Sequence, residues 1–340
     1  MLRKFVGSLI VLYCFSNGFS AVAEGPIQHL HNLAGIKLYN GKEEKKFERT
    51  EGISKPFMTY FKGSKTELCY TAVRHANSVS SPTFQLVKNT FDSFDPEILI
   101  LEGFYYECGR SPSFILSSIK QEEGQKHWQG GEVSFAASLA HKKGIPFVGA
   151  EPTDKAILSQ LTSKGYTDRD FVFFYFLRNI PQYGRSKELS AEDQLPMLFD
   201  RDMERWDGHH ILQSIPTYGD YQDWFHRHYP EKLSFKKLID HDLTCPQADS
   251  ELFFHQLSNE IELIRDTHIL KVQLDLSREF SKIMTVYGGS HYRCQEEVLK
   301  RYFGTPLYLR GTPSRRFFGK KAPTAKEFFR TYKTSKISLV

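Results

Sequence analysis

None of the five cysteines forms a C-x-x-C pair, and the chain has no G-x-S-x-G, no G-x-x-x-x-G-K-[ST] and no G-x-G-x-x-G after a strand-like run. These absences argue in turn against a zinc ribbon or thioredoxin-type redox site, an α/β-hydrolase serine elbow, a nucleoside-triphosphate cradle and a dinucleotide fold. Charge of one sign is scarce too. Of 45 Lys and Arg, Arg3 and Lys4 fall in the first 23 residues, leaving 43 against 40 acidic groups, too even a balance for a nucleic-acid partner. No internal repeat or low-complexity tract is present. The apolar run Phe5 to Phe15 is about eleven residues, short of the roughly 20 that span a bilayer.

That run nevertheless has a context. Arg3-Lys4, the apolar segment and Ala21-Val22-Ala23 have the order of a secretory signal, so residues 1–23 are expected to be removed and the mature chain to begin near Glu24. Tyr13 before Cys14 does not suit lipoprotein processing. The expected product is periplasmic or secreted, with no stable membrane span. Residues 24–340 suffice for one α/β domain with a well-buried core rich in Phe and Tyr. Cys69, Cys108, Cys245 and Cys294 allow up to two disulfides, and the sequence does not choose among the pairings.

Along the chain, residues 24–65 show polar runs such as 41–46 without lasting periodicity, and predict an arm with at most short strands. Residues 67–73 form a strand-like run that stops at Arg74-His75. Ser81-Pro82 then reads as N-cap and first helical residue of a helix ending near Asp92. Residues 97–101 are nearly all apolar, as in a strand covered on both faces, and end at Glu102-Gly103. Residues 132–143 have helical spacing up to Gly144, and residues 145–148 form a short strand leading to Glu151. From about 153 to 281 the chain reads as helices with aromatic faces, a large insertion forming a cap. A strand at 283–287 stops at Gly288-Gly289-Ser290-His291, followed by a helix from Gln295 to Tyr302 and a strand at 306–309. The predicted fold is α/β, with a mainly parallel central sheet flanked by helices and core strands within about 67–151 and 283–310.

In such sheets ligands bind beyond the carboxyl ends of strands, and four ends carry His75, Glu102, Glu151 and His291. A histidine can take a proton from water while a carboxylate holds the imidazolium. The same four also suit a divalent transition metal such as zinc, manganese, cobalt or iron, leaving room for a water. The residues alone do not decide between the two. Ser290 is a weak nucleophile candidate. His209-His210, His226 and His228 lack carboxylates at ligand spacing. Arg265 and His268 share a helical face and would reach a common anion or form a surface pair, while Glu132 suits a helix start.

A strand followed by a histidine loop, Leu101-Glu102-Gly103, Gly131-Glu132, Arg265-Asp266 and Val286-Tyr-Gly-Gly-Ser-His291 together resemble the superfamily of TraB-like proteins, TIKI metalloproteases, erythromycin esterase-like enzymes and ChaN-like iron- or haem-binding proteins. The resemblance covers residues 67–155 and 260–310. It implies a site of His75, Glu102, Glu132, Arg265 and His291, with His75 as base or metal ligand and His291 its partner. It also implies a small-molecule or peptide substrate cleaved at an ester, amide or peptide bond. The family's first motif begins with glycine three residues before the histidine, and Ala72 stands there. The competing expectations are a ChaN-like iron or haem binder without turnover, and a catalytically degenerate relative.

Overall fold

The computed structural model describes residues 33–309, apart from 51, 187, 213, 232–233 and 241–242. The expected signal segment lies outside the described residues. A six-stranded mixed sheet, mostly parallel, has the order β4-β3-β5-β2-β1-β6, built from β1 (Phe57–Lys62), β2 (Glu67–Val73), β3 (Ile98–Tyr105), β4 (Phe147–Glu151), β5 (Lys282–Gly288) and β6 (Leu307–Leu309). The four strands β2, β5, β3 and β4 run parallel, and β1 pairs antiparallel with both β2 and β6.

The apolar run of β3 shows why the sheet is covered twice. Ile98, Leu99, Ile100 and Leu101 have no exposed surface, and alternation divides them between two cores. Leu99 and Leu101 pack with Phe84, Phe91 and Ala136 from α2 (Pro82–Phe94) and α4 (Gly131–Lys142). Ile98 and Ile100 pack with Ile269, Leu270 and Val298 from α10 (Phe253–Leu276) and α11 (Gly289–Phe303). The start of α2 is as the sequence predicts: Pro82 sits in its first turn and the Ser81 hydroxyl accepts from the Phe84 N–H at 3.3 Å.

The arm is more ordered than its sequence suggests. Residues 41–50 form a helix, α1 (Gly41–Thr50), although it buries none of its residues. The Asn40 side chain accepts from the Lys42 N–H at 3.0 Å and caps it, and Glu43 and Glu44 suit its positive end. β1 is a full strand paired with β2 over six residues. β3 continues through Glu102-Gly103 to Tyr105, with a register shift after Leu101. A helix at α3 (Ser113–Glu122) precedes α4, and α11 starts at Gly289, so β5 passes into it without a loop and His291 occupies its first turn.

Between β4 and β5 lies the cap, α5 (Asp154–Ser163), α6 (Asp168–Ser186), α7 (Leu195–Gly208), α8 (Tyr218–His228), α9 (Phe235–Asp240) and the first half of α10. Phe254, Leu257, Ile261 and Ile264 of α10 belong to the aromatic cap core, whereas Ile269, Leu270 and Val272 belong to the sheet core. One helix therefore joins both cores, and Glu262, Arg265 and Asp266 lie where it changes from one to the other. Cys69 and Cys294 are buried thiols, and none of the four described cysteines is in a disulfide.

The β3/β4 pair leaves no room at Gly149. A Cβ there would lie 2.0 Å from the Phe104 carbonyl oxygen, a backbone atom that cannot rotate away. Gly149→Ala is expected to destabilise the fold by about 3 kcal/mol, the upper end for overpacking. Urea unfolding checks this, and an unchanged midpoint would refute it.

Candidate functional site

The carboxyl ends of β2, β3, β4 and β5 bring His75, Glu102, Glu151 and His291 to one edge of the sheet, where Glu132 from α4 and Arg265 from α10 join them. His75 follows β2, and its Nδ1 lies 2.7 Å from Glu132 Oε1. The other Glu132 oxygen accepts the Ala76 N–H at 3.0 Å, so one carboxylate fixes both ring and loop. The turn into α4 serves this contact. Gly131 has φ +61°, and a Cβ there would come within 3.0 Å of the Ala76 carbonyl.

His291 is built the same way from the other side. Its Nδ1 lies 2.9 Å from Asp266 Oδ1, which also accepts from Gln295 Nε2 at 2.6 Å. With Nδ1 of both rings on a carboxylate, each Nε2 turns towards Glu102. Glu102 Oε1 is 3.9 Å from His75 Nε2 and 3.7 Å from His291 Nε2, while Oε2 accepts the Gly288 N–H at 2.7 Å. A Cβ on Gly288 would lie 3.4 Å from both His75 Nε2 and Glu102 Oε2, so glycine keeps the centre of the group open.

Arg265 does not share an anion with His268. Its guanidinium makes a two-bonded pair with Glu151, both contacts at 2.9 Å, and reaches Glu262 at 2.9 and 3.1 Å. His268 instead turns Nδ1 to the Ala150 carbonyl oxygen at 3.0 Å. Glu151 thus has both oxygens engaged by Arg265. Its carboxyl is held below the usual range: burial opposes this and the Arg265 charge prevails. Glu262 is likewise held at about 2 against burial, by Arg265, His291 and Arg178.

Both imidazoles are pushed up to about 9. For His75 the Glu102 charge is the largest cause and the Glu132 hydrogen bond the next. Burial pulls His291 down, but the charge and hydrogen bond of Asp266 outweigh it. The two rings differ in access: the His75 side chain is 66% exposed and that of His291 7%. His75 opens into a cleft of about 520 Å³ lined by Arg74, Gly288, Gly289, Lys55 and the α1 residues Glu44 and Lys45.

Among the described residues, one group of His and carboxylate side chains lies close enough together to hold a cation. Glu262, Asp266 and His291 each offer one ligand atom, all within 4.8 Å of one another. There every ligand already has a partner, and Arg265 would lie beside the ion. On the other side of the His291 ring, Glu102 Oε1 lies 3.9 Å from His75 Nε2 and 3.7 Å from His291 Nε2, both beyond hydrogen-bond distance. Carboxylates behind both rings are the usual support of metal-bound histidine. One histidine nitrogen with two carboxylate oxygens, as in Glu262, Asp266 and His291, is a donor set that suits a divalent transition metal.

The sequence did not single out Glu262 and Gln295 as site residues. Their helical spacing carried a signal, Glu262 three residues before Arg265 and Gln295 four after His291, each on the face of a named residue. No protein-family model, curated protein or solved structure matches the chain.

Proposed function

We propose that the chain is an exported hydrolase, cleaving an ester, amide or peptide bond at His75, Glu102 and His291 with the help of a divalent transition metal. The observation that carries this reading is the convergence of two Nε2 atoms on one Glu102 oxygen, with each Nδ1 anchored by its own carboxylate. A metal-free mechanism is weakly supported. The Glu102 charge and the Glu132 hydrogen bond push His75 up to about 9, which favours the imidazolium over the free base at neutral pH.

Five carboxylates, from Glu102, Glu132, Glu151, Glu262 and Asp266, face the two guanidiniums of Arg178 and Arg265. This excess of negative charge favours two imidazolium protons or a divalent ion. Zinc, manganese, cobalt or iron held by His75, His291 and Glu102 would polarise a carbonyl and make bound water a nucleophile near neutral pH. Glu132 and Asp266 orient the ligands, Gly288 leaves room for the reacting group and the cleft beside His75 admits it. Arg265 balances buried charge. The motif resemblance to TraB-like, TIKI and erythromycin esterase-like proteins agrees with this chemistry.

The test is elemental analysis and ester hydrolysis on wild-type, His75→Ala and His291→Ala proteins purified without chelator. About one equivalent of transition metal in wild type is expected, lost in both variants, with hydrolysis reduced at least ~100-fold. A variant with full activity would sink the proposal. Metal lost in both variants without turnover in wild type would instead identify an iron- or metal-binding protein of the ChaN-like kind.

A further inference from the structure

The cleft beside His75 is lined by the end of β2 and the start of α11 on one side and by α1 on the other. Its permanent charges are three cations, Lys45, Lys55 and Arg74, against two carboxylates, Glu44 and Glu48. Four of these five answer one another. Lys55 lies 2.7 Å from Glu44, and its stem crosses Gly289, where a Cβ would overlap Lys55 Cδ. Head and stem of this lysine are both held. Lys45 and Glu48 stand three residues apart on α1, neighbours on one helical face, so each screens the other.

Arg74 has no such counterpart. Its backbone is pinned, because the Thr83 hydroxyl donates to the Arg74 carbonyl oxygen at 2.6 Å. Its side chain is exposed, and among the described residues the guanidinium has no ion pair and no hydrogen bond. The cleft therefore presents one unmatched guanidinium, on the residue next to the exposed His75 ring.

We propose that Arg74 selects the substrate by pairing with a single carboxylate carried near the bond to be cut. A guanidinium offers a planar fork that fits a carboxylate through two hydrogen bonds. Glu44 and Glu48 on the facing helix oppose a doubly charged phosphate more strongly than a group of one charge. The substrate class is an ester, amide or peptide with one free carboxylate, an assignment that rests on the hydrolase reading.

Two esters of equal chain length test it: mono-para-nitrophenyl glutarate, which has a free carboxylate, and para-nitrophenyl pentanoate, which has none. Wild type is expected to prefer the glutarate ester. Arg74→Gln should lower that preference about 10–100-fold, mainly through KM, with Arg74→Lys between the two. Arg74 is exposed, so both variants are expected to fold. An equal preference in wild type and Arg74→Gln overturns the proposal. Calorimetry with free glutarate and with phenyl phosphate separates it from the hydrolase reading. If neither ester is cut, that reading falls, while the carboxylate site stands on glutarate binding that Arg74→Gln weakens at least ~10-fold. Glutarate bound equally by both proteins, or by neither, overturns the site, and tighter binding of phenyl phosphate overturns the choice of a carboxylate.

Discussion

Arg265→Leu is expected to be the most damaging single substitution in the site, costing about 3–5 kcal/mol of folding stability. The guanidinium is 14% exposed and holds two carboxylates, Glu151 by two contacts and Glu262 by two more. Removing it leaves Glu151 with no cation in contact among the described residues, and Glu262 with Arg178 at 3.3 Å and the His291 ring at 3.8 Å. Burial disfavours both charges, and leucine offers neither a donor nor a counter-charge. Its position on α10 adds to the effect, because there the helix passes from cap core to sheet core and a displaced side chain disturbs both. Lysine should restore only part of the loss, since one ammonium cannot reproduce a two-bonded pair with Glu151. Urea unfolding of the three proteins tests this, and a loss below about 1 kcal/mol for leucine would show that the carboxylates find other partners.

What the sequence shows and what it hides have the same physical origin. β3 was legible because Ile98 to Leu101 are apolar without a break, and a strand covered on both faces has no polar side to show. The carboxyl ends of β2, β4 and β5 were legible through the abrupt change to His75, Glu151 and Gly288-Gly289, whereas β3 runs on past Glu102-Gly103 to Tyr105 through a register shift that no change of residue type announces. Helix α1 was not legible. It has no apolar stripe and depends on Asn40, terminal charges and contacts such as Glu44 with Lys55 at 2.7 Å. The start of α11 was hidden for a related reason, since the two glycines that let β5 run straight into the helix also read as a loop. Within the site, strand-end residues announced themselves, whereas Glu262 and Gln295 sit in mid-helix. There a polar residue ordinarily faces water, and only the packing of α10 against α11 and the cap turns these two inward.

The metal-free protein is expected to lose stability between pH 6.5 and 9, by about 3 kcal/mol from His291 alone. The sign follows from the direction of the shift. The unfolded imidazole titrates near 6.5 and the folded one at about 9, so between these values the native state binds more protons than the unfolded chain. The contribution is complete below 6.5, falls through the interval and is gone above 9; a shift of about 2.5 pKa units corresponds to the stated energy. His75 acts in the same sense, but its ring is two-thirds exposed and solvent screening weakens its share. Glu262 works in the opposite direction: held at about 2, it contributes above its ordinary value of ~4.5 and loses that contribution as the pH falls towards 2. Stability of the chelator-treated protein should therefore be greatest between about pH 4.5 and 6.5. Unfolding midpoints measured across pH at constant ionic strength, with His291→Phe alongside, test this; a rise in wild type from 6.5 to 9 would refute it, and the variant should lose most of the slope. Added metal should reverse the trend, because an ion on Nε2 requires the ring that high pH supplies. Binding should then release protons and tighten as the pH rises towards 9.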